Sequence, residues 1–384
     1  MSRDLIFVAL SLLVWGLGEG AFFAFQPLYL QQLGASPIDI GAILGAFSLS
    51  GTLAHIPAGY LADRIGRRPL MWTGWIVGLS AAWLMALATT LPVFTVGMIL
   101  YGTTMFVNSP MTSYITQARG HLRVGRALTL VSAGYNLGAV VGPLLGGWIG
   151  ENYGYRSIFF FSACIFVFST LFLLLIRPQP VEARTNLQVG DKLINNPQYL
   201  RFMGLVFLAA FAMYLPQPLA PNYLQNQKDL SLVAIGQLYS ISALGVITFN
   251  LVLGQMEHRL GYLLGQAAVG VFAVILWQQS GMLWYGLAYF FVGGYRTARS
   301  LALAQVQTQV HPANMGLAYG LSESIAGTAN IIVPVLAGFL YSRDPDVIFP
   351  ISLILICISI LANALYLYSR HAIKVEPAPT DVAT

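Results

Sequence analysis

Apolar residues in this chain run in long blocks separated by short polar turns, and twelve blocks reach the length of a membrane-crossing helix. At 1.5 Å of rise per residue, about 20 residues cross a hydrocarbon core of roughly 30 Å. In the first half the predicted spans run from Leu5 to Leu30, Ile38 to Leu61, Leu70 to Thr89, Pro92 to Thr116, Ala127 to Gly150 and Ser157 to Ile176. In the second half they run from Tyr199 to Leu224, Leu232 to Met256, Tyr262 to Gln279, Met282 to Gln307, Leu317 to Tyr341 and Val347 to Tyr368. The period-two alternation of a β-barrel is absent, so the pattern predicts an all-α membrane protein.

The longest polar interruption, Arg177 to Pro197, falls between the sixth and seventh blocks. It divides the chain into a first six-helix bundle (1–176), a linker (177–198), a second bundle (199–369) and a tail (370–384). Composition agrees with a membrane assignment: 57% of residues are hydrophobic and 9% charged, with a mean hydropathy of +0.70. So few charges cannot cover a soluble globule of 384 residues.

Lysine and arginine collect on one side. Fourteen of the 19 lie on the face that holds Arg3, Arg64, Arg67, Arg68, Arg119, Arg123, Arg126 and both termini, whereas Arg156, Lys228 and Arg343 lie opposite. Short basic loops stay in the cytoplasm, so both termini are expected there, in the plasma membrane of a prokaryote. This bias and anionic lipid headgroups explain the net charge of +5, which calls for no nucleic-acid partner. The first block is too long for a cleavable signal and is expected to remain as the first helix. Cys164 and Cys357 fall within spans and are expected to pack as small apolar residues.

The two halves repeat at an offset of 194 to 195 residues that falls to 191 further along. Pro27, Tyr29, Leu30 and Gln31 recur as Pro221, Tyr223, Leu224 and Gln225, and Ile40 and Gly41 recur as Ile235 and Gly236. Gly59, Arg64 and Gly66 return as Gly254, Arg259 and Gly261, and Gly102, Gly125, Leu130, Pro143 and Gly147 as Gly293, Gly316, Leu321, Pro334 and Gly338. A duplicated helical bundle reads as a two-lobed transporter with its site between the lobes.

Two motifs sharpen this. Gly59, Leu61, Asp63, Arg64, Gly66, Arg67 and Arg68 form a charged turn between the second and third blocks. Gly138, Gly142, Pro143, Gly146 and Gly147 sit in GAVVGPLLGG of the fifth block, where four-residue glycine spacing clears one helix face for close approach and the proline bends the backbone. The first resembles the loop between helices two and three of the major facilitator superfamily, and the second resembles the signature of its antiporters, including drug:proton exporters. The resemblance implies twelve transmembrane helices in two pseudo-symmetric six-helix bundles, rocking around a midplane site. One departure is Met98, which stands where drug antiporters usually carry an arginine, and no acid occurs from Ser113 to Arg126.

Five ionisable residues lie well inside spans: Glu19, His55, Arg296, Arg299 and Glu323. Each is costly there unless paired or hydrated. Their repeat mates, Met213, Asn250, Met105, Asn108 and Ser132, carry no charge, so symmetry does not require them. Glu19, flanked by glycines expected to leave its carboxyl accessible, suits a proton or cation site. Arg296 and Arg299 share one side of a helix and offer fork geometry to an anionic group. Glu323 is placed to neutralise Arg299, with proton coupling at Glu323 and substrate binding at Arg299 as their other roles. Arg296 is the better substrate candidate, and His55 is expected to be a satisfied packing residue with proton relay as the alternative.

Phe23, Gln26, Tyr214, Gln217 and Tyr289 complete the candidate substrate contacts, because the resemblance implies that the first, seventh and tenth helices line the central cavity. By the same analogy Asp63 meets the start of the eleventh helix near Gly316 and Leu317 and holds the gate shut. These readings combine into a monomeric secondary transporter that exports a small amphipathic molecule in exchange for protons. It needs no cofactor or metal and is not an enzyme. An organic-anion carrier or importer built on Arg296 is the alternative, and a lipid scramblase-like protein the more distant one.

Overall fold

A computed structural model describes residues 2–179, 197–307 and 315–374. Most of the expected linker and the last residues of the tail lie outside this description, as do the side chains of residues 56–65, 198, 307, 315–317, 319 and 367–374.

The described residues form helices and no strands. They are α1 (Arg3–Phe23), α2 (Gln26–Gln32), α3 (Pro37–Ile65), α4 (Arg67–Leu87), α5 (Leu91–Thr103), α6 (Asn108–Ala118), α7 (Val124–Tyr153) and α8 (Tyr155–Leu174). The second half comprises α9 (Pro197–Tyr214), α10 (Ala220–Lys228), α11 (Leu232–Leu253), α12 (His258–Gln278), α13 (Met282–Val292), α14 (Gly294–Gln307), α15 (Met315–Arg343) and α16 (Ile348–Lys374). Among the described residues ten stretches are long and apolar enough to cross a membrane. The seventh and tenth predicted spans are the other two, each divided into shorter helices.

Four spans predicted as continuous are broken, and they pair by the repeat. The first breaks before Gln26 and Pro27, and its mate, the seventh, breaks across Leu215–Leu219, where Pro216 and Pro218 withhold two backbone donors. The fourth passes through a 3-10 turn at Thr104–Val107, and its mate, the tenth, parts at Gly293. Repeat-related helices therefore share backbone breaks as well as sequence.

Within the first lobe α1 packs against α7 and α8, and α4 against α5 and α8. In the second, α9 meets α15 and α16 while α12 meets α13, α14 and α16. Between α1 and α7 the glycine spacing has its expected use. A Cβ on Gly138, Gly142 or Gly146 would come within 2.3 Å, 2.5 Å or 2.0 Å of a carbonyl oxygen of α1. Buried polar groups fasten the lobe internally: the Trp75 indole donates to Ser169 Oγ at 2.9 Å and Ser11 Oγ to the Ser169 carbonyl at 2.8 Å. Cys164 and Cys357, expected as packing residues, are instead exposed and unpaired.

The lobes meet along two seams, α3 against α15 and α7 against α11. The seams are copies of each other. A Cβ on Gly41 would lie 2.1 Å from the Pro334 carbonyl oxygen, and one on Gly236, its repeat mate, 2.2 Å from the Pro143 carbonyl oxygen. Likewise Gly338 abuts the Pro37 carbonyl at 2.3 Å and Gly147 the Leu232 carbonyl at 2.5 Å. A set of hydrogen bonds between the lobes lies in the half of the molecule away from the chain termini, here called the far face. Gln31 exchanges amide hydrogen bonds with Asn226 at 3.0 and 3.1 Å and accepts from Asn222 at 2.6 Å. Tyr155 pairs with Gln225, and Ser240 Oγ donates to the Val140 carbonyl at 2.7 Å.

Candidate functional site: a carboxylate and an arginine from opposite lobes

Glu19 sits in the second half of α1, half-buried, where Tyr135 of α7 donates its hydroxyl to Oε2 at 2.9 Å. The tight approach of α1 to α7 makes this bond possible: a Cβ on Gly16 would lie 2.3 Å from the Tyr135 carbonyl oxygen, and one on Gly138 2.3 Å from that of Leu13. Trp15, one turn earlier, stacks on Phe166 with ring centroids 4.1 Å apart and on Tyr101 at 6.0 Å. Among the described residues the buried Tyr101 hydroxyl meets no partner within hydrogen-bonding geometry, although it and the Trp15 indole lie close enough to the carboxylate to interact with it. Glu19 therefore rests on a wall of three aromatic side chains, Trp15, Tyr101 and Tyr135, each of which carries an N–H or O–H group.

The glycines beside Glu19 have another role than the expected one. A Cβ on Gly18 would strike the Phe166 ring at 2.7 Å, and one on Gly20 would sit 3.2 Å from Ala139 Cα and Pro143 Cδ. They seat α1 against α8 and α7 rather than opening a path to the carboxyl.

Arg296, on α14 of the other lobe, is exposed, with no ion-pair partner among the described residues. Its charge reaches Glu19 and Tyr135. Arg299, one turn on, pairs with Glu323 of α15. Tyr295 joins this group: it stacks on Tyr214 with centroids 5.9 Å apart and donates to Asn330 Oδ1 at 3.2 Å. A narrow crevice opens beside the ion pair, lined by Ala210 and Met213 of α9, Tyr262 of α12 and Ala326 of α15.

The other expected residues scatter. Phe23 is 44% exposed and touches Phe47 edge-on. Gln26 is buried and its amide nitrogen has no partner among the described residues. Gln217 donates to its neighbouring Met213 carbonyl at 2.7 Å. Tyr289 is buried between Phe272 and Tyr239 rather than lining the space between the lobes. His55, expected to be packed, is exposed, with Nδ1 2.6 Å from the Gly51 carbonyl oxygen. In the charged turn, Gly66 takes φ +83° between α3 and α4, a left-handed value that favours glycine, and Arg68 lies over the Trp72 ring at 3.8 Å. The expected contact of Asp63 with Gly316 and Leu317, and the side chains of Leu61 and Arg64, fall outside the described residues. Residues that sequence reasoning missed are Tyr135, Tyr101, Trp15 and the amides of the far face.

A family model described as Major Facilitator Superfamily matches residues 8–321. The chain belongs to the Major Facilitator Superfamily. It is an integral, multi-pass membrane transport protein and not an enzyme. Among superfamily relatives, multidrug resistance protein 2 of Bacillus subtilis is 23% identical over 363 residues, covering 88% of this chain and 89% of that protein. The quinolone resistance protein NorA of Staphylococcus aureus is 22% identical over 354 residues, covering 89% and 90%. The superfamily fold also appears in the solved structure of the nucleoside transporter NupG, which matches with a TM-score of 0.77 at 14% identity over 95% of this chain and 98% of that one.

Proposed function

We propose that this superfamily member is a proton-coupled exporter of a small amphipathic molecule, with Glu19 as the group that protons and substrate share. The observation that carries the reading is the Glu19 carboxylate, set within α1 on Tyr135 and an aromatic wall. A carboxylate at mid-membrane is costly to keep, and its retention marks an ion or substrate path. Aromatic faces beside it suit the apolar body of an organic cation. If cation and proton occupy one carboxylate, each must leave before the other binds, and that exclusion is antiport. The drug-resistance functions in the names of the two relatives point the same way, toward export of organic compounds.

The two lobes act as rigid bodies that expose the site alternately. With the termini in the cytoplasm of a prokaryotic cell the far face is external, and the paired seams close the outside. The protein acts as a monomer, since both halves of the site come from one chain. Arg296 supports the second reading, an organic-anion carrier, because it is an exposed guanidinium near the midplane.

The test is thermal unfolding of purified wild type, Glu19→Gln and Arg296→Ala with tetraphenylphosphonium, benzoate or glucose at two pH values. The expected result is stabilisation by tetraphenylphosphonium that depends on pH and disappears in Glu19→Gln. Stabilisation by benzoate, lost only in Arg296→Ala, would replace the exporter with the anion carrier.

A further inference from the structure

The two interlobe seams share their glycine-to-carbonyl contacts, and they differ where α3 and α11 begin. At the α3–α15 seam α3 begins at Pro37, which has no amide hydrogen to offer, and its start is capped from within. Asp39 Oδ2 accepts from the Ser36 amide at 3.0 Å, and Ser36 Oγ accepts from the Asp39 amide at 3.2 Å. Across that seam Ser342 turns its hydroxyl back to the Phe339 carbonyl of its own helix at 2.8 Å.

At the α7–α11 seam three of these residues are replaced. Leu232 stands for Pro37 and carries a free amide hydrogen, Ala234 stands for Asp39 and cannot complete a capping box, and Glu151 stands for Ser342. Ser231 still accepts from the Ala234 amide at 3.2 Å, as its mate Ser36 does from Asp39. The first amide of α11 is satisfied from the other lobe instead: Leu232 N donates to Glu151 Oε2 at 2.8 Å. A carboxylate at a helix start also meets the positive end of the helix dipole.

We infer that Glu151 is a gating residue, a carboxylate latch that holds the far face closed by capping the start of α11 across the lobe boundary. α11 keeps its Ser231 cap, but its first amide, absent at Pro37 of the other seam, is satisfied only from the opposite lobe, so opening the far face leaves that amide without its carboxylate. Closing the far face restores a charge-assisted hydrogen bond that no group within the second lobe supplies. The neighbouring groups on the same face are engaged elsewhere. Arg156 donates to the Ala86 and Leu87 carbonyls, Tyr155 to Gln225, and Lys228 lies over the Tyr223 ring. The inference rests on the alternating-access part of the proposed function and is independent of the substrate.

The test is the distance distribution between spin labels at Thr90 and Leu283, on the far ends of the two lobes, in full-length protein with Cys164 and Cys357 changed to serine. Glu151→Ser, which copies the other seam, is expected to raise the ratio of far-face-open to far-face-closed molecules about tenfold. Glu151→Gln keeps an acceptor and is expected to fall between that variant and the wild type. Adding Ala234→Asp to Glu151→Ser rebuilds an internal capping box. It is expected to recover thermal stability while leaving the open population high, an outcome that a purely structural role would not give. Unchanged distances in Glu151→Ser overturn the latch. Gly236→Val, whose side chain collides with the Pro143 carbonyl, serves as the control: if it shifts the distances while Glu151→Ser does not, the latch alone fails. If neither shifts them, the alternating-access reading fails with it.

Discussion

At the scale of single residues, the bond between Glu19 and Tyr135 joins helices 116 positions apart in sequence. Tyr135→Phe removes the donor and keeps the ring, so α1 and α7 stay packed while the carboxylate loses a partner. A loss of about 1 kcal/mol in stability is expected, seen as a lower unfolding temperature, together with weaker binding of tetraphenylphosphonium. The Arg299–Glu323 pair calls for a different measurement, because its side chains are 32% and 46% exposed. A double-mutant cycle with alanine at both positions should give a coupling of no more than about 1 kcal/mol. If Arg299 binds substrate itself, Glu323→Ala will leave ligand stabilisation intact and Arg299→Ala will remove it. Glu19, Arg296 and Glu323 were legible in the sequence because a charge inside an apolar block stands out. Tyr135 and Tyr101 were not, because the chain holds 19 tyrosines and only the approach of α1 to α7 singles out these two.

At the scale of helices, the glycines of α7 divide by what faces them. Nothing lies within 4 Å of a Cβ on Gly125, whereas one on Gly142 would sit 2.5 Å from the Leu17 carbonyl oxygen. Gly125→Ala is therefore expected to be neutral or to stabilise by up to about 1 kcal/mol through helix propensity. Gly142→Ala should cost about 1–3 kcal/mol by forcing α1 away, and thermal unfolding of the two variants checks the opposite signs. The spacing of these glycines announced a close helix contact, but the sequence did not say which helix answers it. Helix ends were also legible to within a few residues, since apolar blocks end where polar turns begin. The breaks in the first, fourth, seventh and tenth spans were not, because hydropathy is blind to a missing backbone donor. Pro216 and Pro218 were the available signal for one of them.

At the scale of the whole molecule, the far face is closed by amides, one tyrosine and two glycine seams. A short thiol-reactive cross-linker between Gln31→Cys and Asn226→Cys, in a background without Cys164 and Cys357, should hold that face shut. Transport into proteoliposomes is expected to stop on cross-linking, while each single-cysteine variant retains it; continued transport in the cross-linked protein would rule out opening at this face. The duplication made the two-lobed plan legible, but Gln31 and Gln225 stood in it only as one repeated pair among many, with nothing to single them out as interlobe contacts. The seams were hidden because they are contacts of each half with the other rather than with itself.

Those seams also bear on where the chain came from. Each joins a Gly-rich α7-type helix of one half to the start of an α3-type helix of the other, and the same glycine-to-carbonyl contact recurs on both sides. A single ancestral half could have met a second copy of itself through both seams at once, as a twofold dimer, before fusion joined them. The halves should still recognise each other. Residues 1–179 and 197–384 made as separate polypeptides in the same membrane are expected to co-purify, and Gly41→Leu in one with Gly236→Leu in the other should abolish the pairing.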